Sequence, residues 1–278
     1  MTWQDFELNE DELLLRDSIF RFELEDNGIE FIENYQSIIE EADKFFFEPN
    51  GYRKIHSFVS TLQIIAKLMQ QGLYSFYVDK RGLFTINTIE FYEIIYSILG
   101  KYSSDKFLEI GAGDGSLASY LKLNKDVNLI SIDDHSYGSR ETDSNCILAK
   151  RPATKDIEQL DLETALEKYK PKFVISSWLV NPKYNLGDDM KIIENPNIEY
   201  YLWIGDSSKR FSSSPELWNR KNCSYESIDL NHSQFTQRDN MHNPIIFRDI
   251  GDRKMILEDL IRVNSFRAEM VLIHNKNL

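Results

Sequence analysis

The segment FLEIGAGDGSL, residues 107–117, constrains the fold of this chain more than any other stretch. Phe107, Leu108 and Ile110 predict a short buried strand, and Gly111, Gly113 and Gly115 follow it at alternate positions. Glycines there let the backbone turn sharply and approach a ligand with no Cβ in the way. From Ser116 onward, Leu117, Tyr120 and Leu121 fall on one side of a helix. Strand, glycine turn and helix in that order aim free helix amides into the crevice at the strand's end, where a nucleotide-like cofactor is expected.

The spacing narrows the choice of cofactor. A dinucleotide turn has the form G-x-G-x-x-G and directs the helix dipole at a pyrophosphate. Here the form is G-x-G-x-G, and Asp114 brings a carboxylate that would repel a pyrophosphate. With Glu109 at the strand's end, the turn resembles motif I of the class I S-adenosylmethionine-dependent methyltransferases. The resemblance implies a cofactor with a sulfonium and an ammonium and no phosphate. It also implies that Glu109, Gly111, Gly113 and Gly115 bind it.

Val127 to Ile132 predicts a second strand ending in Asp133 and Asp134. Asp133 stands 22 residues after Gly111, close to the ~20-residue separation at which an acidic residue reaches a ribose diol. A carboxylate accepts hydrogen bonds from both hydroxyls at once. By the resemblance Asp133 is the ribose ligand, with Asp134 the alternative if the strand runs one residue further. Ile157 to Asp161 predicts a third strand, Leu162 to Tyr169 a helix, and Phe173 to Trp178 a fourth strand. In the family an acidic residue shortly before the fourth strand contacts adenine. Asp161, 12 residues before Phe173, fits better than Asp156, 17 before it. Ser176, Ser177 and Trp178 would face the methionine moiety and the methyl acceptor, with Trp178 open to a plain packing role.

Tyr200 to Ile204 predicts a fifth strand ending at Gly205 and Asp206. Nearly continuous apolar strands alternating with helices indicate an α/β fold. The expectation is a Rossmann-like, seven-stranded, mostly parallel sheet with helices on both faces. The run ALEKYKPKFVISSW followed by YYLWIGD also looks like a little-described branch of the same superfamily. There a P-D-x-V-x-x-S-W strand precedes an I-G-E strand end; here Lys172 replaces the aspartate and Asp206 the glutamate. The resemblance spans residues 105–206 and implies fold and cofactor, not substrate. Beyond it, Tyr225 to Leu230 and Pro244 to Arg248 form one pairing scheme for the last two strands. The other puts the last strand at Ala268 to His274 after a helix at Arg253 to Val263, and the helical spacing of Met255, Ile256, Leu260 and Ile261 favours it. His232 and His242, in the polar loop Asn231 to Asn243, are the weak candidates for a general base.

Residues 1–100 read as a mainly helical cap, and 101–278 as the cofactor domain. Phe31, Ile32, Tyr35, Ile38, Ile39, Ala42, Phe45 and Phe46 recur at helical spacing. A second helix runs from about Ser57 through Phe58, Leu62, Ile65 and Met69 to Gly72. Tyr74 to Thr85 predicts a hairpin around Asp79 to Gly82. Asn87 and Glu90 form a capping box for a third helix carrying Phe91, Tyr92, Ile95, Ile98 and Leu99. Such a cap either walls the acceptor pocket or forms a packing or homodimer surface. Tyr92 is the candidate pocket residue, with Tyr77, Phe84 and Tyr96 beside it, although aromatics at helical spacing are more often core.

The net charge of −13 argues against a phosphate-backbone partner. A small-molecule O or N acceptor suits it better. Asn181-Pro182-Lys183-Tyr184 resembles the N-P-P-Y signature of methyltransferases acting on planar amino groups. It lacks the second proline and lies too far beyond the fourth strand, which leaves nucleic acid a minority partner. The two cysteines, Cys146 and Cys223, have no metal spacing and are too few for a disulfide framework, so a cytosolic protein is expected. The N-terminus is acidic with no signal-like apolar run, and no window approaches a membrane span. The function implied is methyl transfer by in-line displacement. Transfer to protein or nucleic acid, cofactor binding without turnover, and a dinucleotide oxidoreductase are the alternatives.

Overall fold

The structure is a computed structural model that describes residues 28–49, 52–70, 77, 85–102, 106–134, 157–177, 188–206, 213–230, 234–236 and 268–276. Two compact units divide between Lys44 and Phe45. The described part of the first is residues 28–44, within helix α1 (Gly28–Phe46), the helix that its apolar stripe predicts.

The second unit begins with α2 (Phe58–Gln70), β1 (Thr85–Asn87) and α3 (Ile89–Leu99). Helix α2 buries Leu62, Ile65 and Leu68, one residue per turn along a single face. The predicted capping box does not form. Thr88 is the N-cap of α3 and makes no side-chain cap bond. Starting one residue later than the box requires, α3 places Glu90 too early to reach back to its own N-cap. Glu90 Oε2 instead accepts from the Phe58 amide at 2.7 Å, satisfying an orphan donor at the start of α2. Of the predicted hairpin Tyr74 to Thr85, residues 74–76 and 78–84 lie outside the described residues. Thr85, at its end, pairs antiparallel with Thr236 of β8 (Gln234–Thr236).

The central sheet is built from β2 (Phe107–Ile110), β3 (Leu129–Ile132), β4 (Ile157–Glu158), β5 (Phe173–Ser177), β6 (Tyr200–Asp206), β7 (Cys223–Ile228) and β9 (Ala268–Asn275). Its order is β4-β3-β2-β5-β6-β9-β7. Neighbours from β4 to β6 are parallel. Strand β9 is antiparallel to both β6 and β7, so among the described strands of this sheet it alone is reversed. The last strand is therefore Ala268–Asn275, while residues 244–248 and 253–263 lie outside the described residues.

Period-two burial sorts the strands onto two faces. Phe107, Phe173, Ile175 and Leu202 pack with Phe91 and Ile95 of α3 and with Leu117 and Leu121 of α4 (Ser116–Lys125). Leu108, Val174, Tyr201 and Trp203 pack with Ala165 and Leu166 of α5 (Leu162–Tyr169) and with Ile192 and Ile193 of α6 (Asp188–Glu194). Burial on both faces explains why these strands read as continuous apolar runs. After β2 the chain builds outward through β3 and β4, then returns to add β5 on the other side of β2. The switch point lies between β2 and β5, and the ligand crevice of such a sheet opens at the carboxyl ends there. Among the described residues, no helix is long and apolar enough to cross a membrane.

Candidate functional site

The glycine turn lies directly at this rim. Gly111, Gly113 and Gly115 have φ of 69°, 58° and 72°, the left-handed region in which a Cβ is strained. The Ala112 amide donates to the Ile132 carbonyl at 3.0 Å, tying the turn to the end of β3. A Cβ added at Gly113 would meet nothing within 4 Å, so the turn borders open space. Here glycine is required by backbone conformation, and the room around it is available to a ligand.

Asp133 follows β3 and is half-buried, and its Oδ2 accepts from the Gly113 amide at 2.8 Å. A carboxylate and a glycine 20 residues apart are thus brought together at the crevice. Glu109 lies deeper, 4 % exposed. Its Oε2 accepts from Ser131 Oγ at 2.5 Å, across the register that sets Glu109 opposite Ser131. Burial pushes the Glu109 carboxyl up to about 8; the Ser131 bond opposes this, and the charges of Asp114 and Asp133 add to it. At pH 7 the ligand-free protein therefore holds Glu109 largely protonated.

Asp114, the carboxylate inside the turn, has protein partners. Its Oδ1 accepts from the Ser116 amide at 3.1 Å. Its Oδ2 is 3.7 Å from Arg53 Nη1, with the two side chains only 15 % and 9 % exposed. The guanidinium offsets the charge that was expected to repel a phosphate, so the case against a pyrophosphate rests on the glycine spacing and Asp133. Tyr92 is 1 % exposed, donates its hydroxyl to Ser116 Oγ at 2.9 Å and stacks on Tyr120. Burial pushes that hydroxyl up to about 12. Tyr92 thus braces the first residue of α4 and does not face open space.

Asp161 is exposed beyond β4 and is the N-cap of α5. Its Oδ1 accepts from the Thr164 amide at 2.9 Å and its Oδ2 from Thr164 Oγ1 at 2.7 Å. These bonds hold its carboxyl below the ordinary range. Ser177 ends β5 half-buried, while Ser176 is fully buried with its hydroxyl 2.7 Å from that of Tyr201. Trp178, His232, His242, Asp156 and Phe84 lie outside the described residues. Tyr77 is buried at 1 % exposure. Arg53 and Ser131 are the polar residues at this rim that sequence reading missed. Ser131 was visible as a polar residue within an apolar strand, whereas Arg53 carried no local signal.

No family model and no curated protein matches the chain. Among solved structures it is similar to the methyltransferase domain of bacterial CtHen1, at 9 % identity over 66 % of this chain and 96 % of that one, with a TM-score of 0.37. It is similar to the plantazolicin methyltransferase in complex with SAH, at 13 % identity over 88 % and 98 %, with a TM-score of 0.35. It is also similar to a dimethyladenosine transferase from Plasmodium falciparum, at 17 % identity over 68 % and 62 %, with a TM-score of 0.37. At such scores these likenesses say nothing of what this chain acts on. The chain's own strand order supplies the assignment: a mostly parallel sheet whose described strands include one reversed strand, and a glycine turn after β2 at the switch point, make a class I methyltransferase-like fold.

Proposed function

We propose that the crevice at the ends of β2, β3 and β5 binds S-adenosylmethionine and that the chain transfers its methyl group to a small-molecule O or N acceptor. The Asp133 carboxylate, seated on the Gly113 amide beside open space, carries this reading. The residues present fit the cofactor: open space beside the Gly113 main chain, with the Asp133 carboxylate at its border, suits a cationic, phosphate-free ligand.

When bound, the cofactor supplies a methyl group on a sulfonium, which becomes a neutral thioether as the acceptor's lone pair takes the methyl. The chain's part is binding and alignment. Asp133 accepts the ribose hydroxyls while its other contact keeps the turn in place. Asp161, fixed as a helix cap, offers remaining lone pairs to the adenine amino group. Gly111, Gly113 and Gly115 let the main chain close on the ligand. Glu109 and Ser177 stand toward the methionine end, where an incoming ammonium would favour loss of the Glu109 proton. Holding two reactants in line accounts for as much as ~7 to 11 kcal/mol of a barrier, so a nucleophilic acceptor needs no dedicated base. The net charge of −13 favours a small or cationic acceptor over a phosphate backbone.

Calorimetric titration of the full chain with S-adenosylhomocysteine and with NAD(H) tests the cofactor. Uptake of the first is expected, and uptake of the second alone would reverse the assignment. Transfer of a labelled methyl group from the cofactor into metabolite or macromolecular fractions then tests the acceptor class, with label in small molecules expected.

A further inference from the structure

Asp114 stands inside the glycine turn, between Gly113 and Gly115. A carboxylate directed at the crevice from that position would compete with Asp133 for the Gly113 amide and would raise the negative charge already acting on Glu109. The residue that meets it comes from far away in the chain. Arg53 bridges main chain to Phe47 and donates from Nη2 to the Thr85 carbonyl at 2.5 Å, while Nη1 lies 3.7 Å from Asp114 Oδ2. Around them, Asp114 accepts from the Ser116 amide and the Tyr92 hydroxyl donates to Ser116 Oγ, closing a corner between β1, α3 and the start of α4.

We propose that Arg53 is a positioning residue of the cofactor turn: its guanidinium draws the Asp114 carboxylate back from the crevice, leaving the Gly113 amide to Asp133 and the open side of the turn to the ligand. The proposal rests on the reading that this turn binds S-adenosylmethionine. In so enclosed a corner, loss of the guanidinium leaves Asp114 without this cation, and loss of both charges leaves a neutral pair. Lysine keeps the charge but gives up the fork that reaches the Thr85 carbonyl and Asp114 together.

The test is titration of full-length variants with S-adenosylhomocysteine, alongside backbone hydrogen exchange of the ligand-free chains. Arg53→Gln is expected to weaken binding by about tenfold or more, Arg53→Lys by about threefold, and Arg53→Gln with Asp114→Asn to return to within about threefold of the parent. Rescue by the second substitution distinguishes positioning from mere packing, since a missing packing contact is not restored by removing a charge. Unchanged affinity in Arg53→Gln, or a double variant that binds no better than the single one, overturns the proposal. If Arg53→Gln does not fold, Arg53→Lys carries the test, and unchanged affinity there counts against it. In the exchange experiment the Gly113 and Ser116 amides should exchange faster in Arg53→Gln and recover in the double variant; equal rates throughout overturn the proposal. A parent chain that does not take up S-adenosylhomocysteine overturns the cofactor reading instead, and the exchange pattern then decides by itself whether Arg53 holds the turn.

Discussion

Two places beside this sheet gather carboxylates and hydroxyls, the ends of β2 and β3 and the start of α6, and they use them in opposite ways. In the first turn of α6, Asp189 is 4 % exposed and accepts from the Ser214 amide at 2.5 Å, the Ser214 hydroxyl at 2.6 Å and the Met190 amide at 2.9 Å. Nearby, the Ser176 and Tyr201 hydroxyls bond to each other, both fully buried. At the glycine turn, Asp133 is half-buried and holds the Gly113 amide beside open space. A carboxylate ringed by protein donors ties the fold together, whereas one at the border of a cradle is available to a ligand. In the sequence both are simply aspartates at the ends of regular elements.

The comparison breaks most directly at Asp189. Asp189→Ala strips a buried acceptor from two donors of Ser214 and should cost about 2 to 4 kcal/mol of stability by urea denaturation. A loss below about 0.5 kcal/mol would mean that the start of α6 is no tie at all.

Glu109 sharpens the contrast through pH. Its carboxyl stands at about 8 in the folded chain against 4.5 for the free group. Below the lower value both states are protonated. Between the two values the unfolded chain ionises while the folded one keeps its proton, so this stabilisation fades as pH rises through the upper value. Thermal melts should therefore show the parent losing on the order of a few kcal/mol relative to Glu109→Gln between acid and mildly alkaline pH. A stability difference that stays constant with pH would show that Glu109 is not held neutral.

A smaller effect is expected at Asp133, and on a different observable. Asp133→Ala should weaken S-adenosylhomocysteine binding by ~1 to 3 kcal/mol while altering stability by less than about 1 kcal/mol. If stability falls and affinity does not, Asp133 belongs with Asp189 among the structural ties. The smallest change expected is at Glu90, whose loss to alanine removes the cap on Phe58 and should lower stability by about 1 kcal/mol. No change in melting would leave the start of α2 satisfied by other means.

Much of the fold was legible because its signals are local. Phe107–Ile110 and Leu162–Tyr169 form the predicted elements, since their apolar spacing is set by neighbours a few residues away. The glycines were legible because their left-handed backbone excludes most other side chains. What escaped was long-range. Nothing near Arg53 points to Asp114, and nothing near Glu90 points to Phe58, because such contacts are decided only when separate segments pack together. The pairing of β1 with β8 and the bond from Ser131 to Glu109 belong to the same class. Asp161 differs: an aspartate immediately before an amphipathic helix is a capping signal, readable alongside its candidate adenine contact.

The most direct test is a crystal structure of the full chain grown with S-adenosylhomocysteine. The account predicts both ribose hydroxyls within hydrogen-bond distance of the Asp133 carboxylate, with the ligand lying across Gly111 and Gly113. Ligand density elsewhere, with Asp133 still bound only to protein, would contradict it.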